Sequence, residues 1–241
     1  NITYNTGLFD NTYGISVGSK NAFIKNFNTI TLGGIANGNY GVFFSIANGT
    51  LSNISQIITQ GNSSHVVYFS GSPNSRIENT KLRYALSTDE ASEPVLPGYG
   101  ILLDSNSHNV SIINNNITME NDDTSGYGIR STGNLNLTIS GNNISSASGS
   151  LSHDAIILES GANSSTITNN IIRTTVSGDG ISFDGANNNN ISYNNITSVN
   201  IGINLALGST TNNIVFFNNI TTTASLDGIQ IASSSQNNNI S

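Results

Sequence analysis

Cysteine is absent from this chain of 241 residues. With no thiol there is neither a disulfide framework nor a cysteine nucleophile, so the fold has to be held by a continuous core. Charge is scarce as well. Asp, Glu, Lys and Arg make up 9% of the chain, against about 25% in ordinary soluble domains, so solubility rests on Asn, Ser and Thr. Seven Lys and Arg against fourteen Asp and Glu leave a net charge of −7, and cations this thinly spread exclude the basic footprint of a nucleic-acid binder. No apolar run approaches the ~18 residues of a membrane span, and no secretory leader is recognisable. A helical period is missing too.

What is present in excess is asparagine, and it recurs periodically. The stretch "DGISFDGANNNNISYNNIT" (179–197) is followed by "IGINLALGSTTNNIVFFNNIT" (201–221) with nearly the same pattern. Anchored on the Gly, or its substitute, that precedes an apolar pair, the units begin at Gly14, Gly41, Val66, Gly100, Gly128, Ala155, Gly180, Gly202 and Gly228. Their spacings are 27, 25, 34, 28, 27, 25, 22 and 26 residues, too loose for a strict hexapeptide left-handed solenoid. Within a unit, positions +1 and +3 are apolar, as in Ile181 and Phe183 or Ile203 and Leu205, which is the period of a strand with one face buried. Short strands punctuated by Gly, Asn and Ser predict one coil per repeat, each stacking on the next at about 4.8 Å. Asparagine fits that architecture because it tolerates left-handed backbone at tight corners and its amide can bond the amides above and below. Asn115, Asn142, Asn169, Asn194 and Asn218 are expected to form such an inward ladder.

Units of the form "GI-x-L" followed by "N-x-I-x-x-N-N-I" resemble the right-handed parallel β-helix of the pectin-lyase-like superfamily. They also resemble the Asn-rich β-helix repeats of large archaeal and bacterial surface proteins. The resemblance spans essentially the whole chain and implies an all-β, right-handed parallel β-helix (β-solenoid) of about nine coils and three parallel sheets. It implies one domain over residues 1–241, roughly 40 Å long at the strand spacing. The same coil serves lyases, hydrolases, epimerases, adhesins and stalks, so the fold leaves function open.

Candidate sites follow from counting along the coil. At +4, Glu159 and Asp184 should sit one coil apart on the outer face, with Arg130, at +2 of the preceding coil, reaching Glu159 diagonally; stacked carboxylates at about 5 Å fall in the range of glycosidase pairs. "NDD" (121–123) and "SHD" (152–154) echo fragments of polygalacturonase motifs, but no "R-I-K" segment follows. A pectate lyase would want a catalytic Arg or Lys beside clustered Asp ligands, whereas Arg130, Arg173 and Lys81 are isolated and sit in no recognisable family motif. The insertion "ALSTDEASEPVLPG" (85–98) carries Asp89, Glu90 and Glu93, and the next corner carries Asp122 and Asp123. These acids, with Asp154 and Asp179 beyond, line one edge and form an oxygen-only set suited to Ca²⁺. The outward +2 column reads Phe43, Tyr68, Leu102, Arg130 and Ile157 before turning polar, an apolar stripe expected to be covered by Val95 and Leu96 or by another subunit. Tyr13, Tyr40, Tyr99 and Tyr127 should stack at a corner.

Thirteen Asn-x-Ser/Thr sequons occur, largely because the repeat spells the motif itself. If any carry glycan, isolated corners such as Asn48, Asn62 or Asn163 are favoured over stacked pairs such as Asn116 with Asn143. Both ends of the chain fall in mid-repeat, giving the expectation of a longer parent solenoid or of end-to-end self-association. The function expected from these features is a non-catalytic extracellular or cell-surface module of structural, adhesive or filament-forming kind. The alternative is a polysaccharide-active enzyme or carbohydrate-binding domain acting on neutral glycans through the Glu159 and Asp184 face.

Overall fold

A computed structural model describes residues 1–5, 12–33, 38–61, 63–85, 97–120, 126–146, 154–175, 177–224, 226–232 and 234–241. Among them every regular element is a strand, and no helix is long and apolar enough to cross a membrane. The strands form three parallel sheets of nine strands each. The first sheet begins with Ile2–Asn5 and Thr29–Gly33, the second with Tyr13–Val17 and Tyr40–Phe44, and the third with Phe23–Lys25 and Thr50–Ser52. Successive strands of one sheet come from successive repeats, which is the parallel β-solenoid expected. In each nine-stranded sheet the two outermost strands have a neighbour on one edge only. Of the nine units counted along the sequence, about seven turns are thus flanked on both sides.

Alternation explains the core. The +1 residues Val42, Val67, Ile101, Ile129, Ile156, Ile181 and Ile203 of the second sheet all point inward at 0% exposure. They meet an isoleucine-rich column from the first sheet, including Ile30, Ile57, Ile117, Ile144, Ile172 and Ile196, and another from the third, including Ile77, Ile112, Ile139, Ile167 and Ile191. Equivalent residues pair in register, as in Ile112 with Ile139 and Ile139 with Ile167. Register slips once, at an irregularity where Ser182–Asp184 meets the next coil.

Two corners turn through left-handed backbone, and here the asparagines are used. Between the second and third sheets the positive φ falls on Asn21, Asn48, Asn74, Asn109 and their equivalents, and between the third and first on Asn26, Asn53, Asn79, Asn114, Gly141 and Asn169. Each residue after this second corner points inward. Asn115, Asn142, Asn170, Asn194 and Asn218 form the ladder, with backbone N–H and side-chain Nδ2 of each donating to Oδ1 of the next at 2.9–3.1 Å. The middle rung of these five is therefore Asn170, not Asn169. In "TNNII" an isoleucine, Ile171, takes the place that Asn116 and Asn143 hold in their strands, which displaces the motif by one. A second ladder runs beside the other corner through Ser165, Asn189, Asn213 and Asn238 at 2.8–2.9 Å.

Candidate functional site

The outer face of the second sheet carries the chemistry that the sequence singles out. Glu159 and Asp184 are register partners on adjacent strands, and Thr132 is the partner of Glu159 on the other side. Arg130 reaches Glu159 diagonally, as counting along the coil anticipates: its Nε donates to Glu159 Oε2 at 2.7 Å. The Thr132 hydroxyl donates to the same oxygen at 2.9 Å. Arg130 Nη1 donates to the Tyr99 hydroxyl at 2.7 Å, while its Cζ lies 5.3 Å from the Tyr99 ring centre and 5.7 Å from that of Tyr127. The guanidinium is thus held by one carboxylate, one hydroxyl and two ring faces, and its pKa is raised through the Glu159 bond against the cost of burial. Asp184, by contrast, is exposed.

One coil column further back, Asp104 accepts from the Tyr68 hydroxyl at 2.8 Å, the Ser70 hydroxyl at 3.0 Å and the Gly71 N–H at 3.1 Å. Burial, followed by the bond to Asp104, pushes the Tyr68 hydroxyl up to about 12. The tyrosine column stacks as expected, Tyr13 on Tyr40 at 5.3 Å and Tyr99 on Tyr127 at 5.6 Å. His65 fills the gap between them, 5.3 Å from Tyr40 and 4.7 Å from Tyr99. Its place just before the anchor Val66 is the signal that aligns it with the tyrosines. Phe43, Tyr68 and Leu102 of the +2 stripe are half-buried, whereas Ile157, Ser182 and Asn204 are buried.

Asp89, Glu90, Glu93, Asp122 and Asp123, with Val95 and Leu96, lie outside the described residues, as does Asn62. The acids of the same edge that are described are held by hydrogen bonds within the chain. Asp179 takes Asn200 Nδ2 at 2.6 Å, Asn204 Nδ2 at 2.7 Å and the Ile201 N–H at 3.1 Å, and Asp154 accepts from the Asp179 N–H at 2.7 Å. Both are buried, and among the described residues no three His, Asp or Glu side chains converge as metal ligands do. Asn48 is exposed but belongs to an outer amide row, donating to Asn21 Oδ1 at 3.0 Å. Asn163 is half-buried, and its Oδ1 accepts the Asn187 N–H at 2.7 Å. An open groove of about 330 Å³ lies away from this face, at the corner between the third and first sheets, lined by Ile54, Asn79, Thr80, Lys81, Asn114 and Asn116 among others.

Residues 96–241, more than half of the chain, match the family described as the right handed beta helix region. The chain belongs to the right-handed β-helix family. Its coil has the hand that the resemblance implied. No curated protein sequence matches this β-helix significantly. Among solved structures it is similar to the Dettilon tailspike protein at a TM-score of 0.59 and 15% identity, over 99% of this chain and 54% of the tailspike. The β-helix thus spans about half the length of that protein, and at such identity the likeness is one of fold. Tailspike protein 2 from Escherichia coli O157:H7 bacteriophage CAB120 aligns with TM-score 0.49 and 12% identity, over 91% of this chain and 37% of its own. The periplasmic alginate epimerase AlgG aligns with TM-score 0.42 and 13% identity, over 95% and 65%.

Proposed function

We propose that this β-helix is a non-catalytic extracellular module, a stiff solenoid of the stalk, adhesin or filament kind. The observation that carries the reading is the state of the Glu159 carboxylate. An acid in a glycosidase must either give up a proton or attack a sugar, whereas Glu159 is tied through Oε2 to both Arg130 and Thr132. Arg130 in turn is packed against Tyr99 and Tyr127. Such an ion pair acts as a rung between coils. The same holds for Asp104 with Tyr68 and Ser70, so the outer face is knitted along the axis as the inner ladders are.

A second reading, cleavage of a neutral polysaccharide, draws support from the exposed Asp184 beside Glu159. A depolymerisation assay separates the two. Incubated with a panel of neutral polysaccharides, the chain is expected to release no new reducing ends. Cleavage that disappears in both Glu159→Gln and Asp184→Asn, with the β-sheet circular dichroism unchanged, would overturn the structural reading.

A further inference from the structure

At the corner between the third and first sheets the left-handed backbone passes in two successive coils from asparagine to aromatic residues. Tyr193 has φ 56° and Phe217 φ 53°, where the equivalent earlier positions are Asn79, Asn114, Gly141 and Asn169. Left-handed backbone suits Gly and Asn and is a genuine outlier for a bulky side chain. Both rings also stand in water, Tyr193 at 53% and Phe217 at 69% exposure, so neither is repaid by joining the core. Strain and exposed apolar surface coincide, twice over, and strain that the fold does not need clusters where a ligand is held.

The rings form one platform. Tyr193 and Phe217 lie 5.3 Å apart at 36°, and Phe216 meets them edge-on at 5.6 and 5.5 Å. Beside them the amides of Asn195 and Asn219 are exposed and in register, Asn219 Nδ2 donating to Asn195 Oδ1 at 3.1 Å. From residue 165 onward the only charged residues are Arg173, Asp179, Asp184 and Asp227. Asp179 and Asp184 belong to the second-sheet side, and Arg173 pairs in register with Thr197, two residues along from Asn195.

Ligand class follows from that chemistry. A nucleic acid strand would stack on the rings but needs cations for its phosphates. A stable protein partner needs about 800 Å² of surface on each side, of which three partly buried rings of at most about 250 Å² each supply only a part. Ring faces and edges with neighbouring amides suit a pyranose, whose C–H face packs on an aromatic ring while its hydroxyls both donate to and accept from Asn side chains. We propose that Tyr193, Phe216 and Phe217, with Asn195 and Asn219, form a binding site for a neutral polysaccharide strand. The site is separate from the Glu159 face and goes beyond the structural role proposed above.

Asparagine is the right replacement for a test, because it fits the left-handed corner and keeps the fold. The full chain, produced without glycosylation, is titrated calorimetrically with cellohexaose, xylohexaose, mannohexaose and chitohexaose, and with oligogalacturonate as the charged comparison. At least one neutral oligosaccharide is expected to bind, with affinity falling by about tenfold or more in both Tyr193→Asn and Phe217→Asn, while their melting temperatures hold or rise. No binding to any of the neutral sugars, a preference for oligogalacturonate, or binding undiminished in the double variant would overturn the site. So would a lowered melting temperature in the asparagine variants, which would make the rings structural. None of these results depends on whether the Glu159 face cleaves glycans, so the two tests fail independently.

Discussion

Asn194 shows what one amide does in this chain. Its Oδ1 accepts from both the N–H and Nδ2 of Asn170 at 3.0 and 2.9 Å, while its own N–H and Nδ2 donate to Asn218 Oδ1 and Nδ2 also reaches the Ile167 carbonyl. Removing it leaves buried donors and acceptors unpaired in two neighbouring coils, so Asn194→Ala is expected to cost about 1–3 kcal/mol in a denaturant melt. Asn169→Gly, by contrast, replaces an exposed corner residue at φ 56° with one that tolerates the same backbone, and should change stability by a few tenths of a kcal/mol. Equal losses in the two variants would contradict the assignment of Asn170 to the ladder. The sequence made the ladder legible as a class of residue, since asparagine recurred at the corners. It misplaced one rung because adjacent asparagines differ only in which way the chain turns between them.

Between coils, the glycine anchors set how closely the second sheet packs at its start. A Cβ on Gly128 would fall 2.6 Å from the Ala155 carbonyl oxygen and 2.7 Å from Ile144 Cγ2, whereas one on Gly18 would meet nothing within 4 Å. Gly128→Ala should therefore push apart two stacked coils at a cost of about 1–3 kcal/mol, and Gly18→Ala should be close to neutral; thermal melts that rank the two the other way would refute this. The strands next to these anchors were readable from alternation at +1 and +3, and counting to +2 and +4 placed Arg130, Glu159 and Asp184 together. The irregularity at Ser182–Asp184 was not readable, because it depends on how a short 22-residue repeat is fitted onto its neighbours. Tyr193 and Phe217 were missed for a similar reason: "ISYNNIT" and "IVFFNNIT" read as ordinary strand alternation, and only the backbone angle separates a corner from a strand.

Across the molecule, the outer edge of the second sheet changes character along its axis, from rings in the N-terminal coils to buried acids in the later ones, and this places two opposed titrations in one stack. His65 is buried with no partner at Nδ1. Burial pushes its pKa down to about 4, the Arg130 charge acting in the same direction against a bond with Ser64. Its contribution to stability is complete above the ordinary histidine value and is lost as pH falls through about 4. Asp154 is pushed up to about 6 by burial, with the charges of Asp179 and Glu159 adding and bonds from the Asp179 N–H and Ser182 opposing. Its contribution runs the other way: complete below the ordinary carboxylate value and lost as pH rises through about 6. Each amounts to about 3 kcal/mol by linkage, so on going from neutral pH to pH 4 the gain at Asp154 offsets the loss at His65. Single variants expose each half. Measured as a difference from the parent chain, His65→Phe keeps a ring in the stack and should become relatively more stable as pH is lowered from 7 to 4. Asp154→Asn should gain most at pH 7 and lose that advantage by pH 4. Difference curves that are flat for both variants, or that slope in the same direction, would show that neither buried group titrates as its surroundings require.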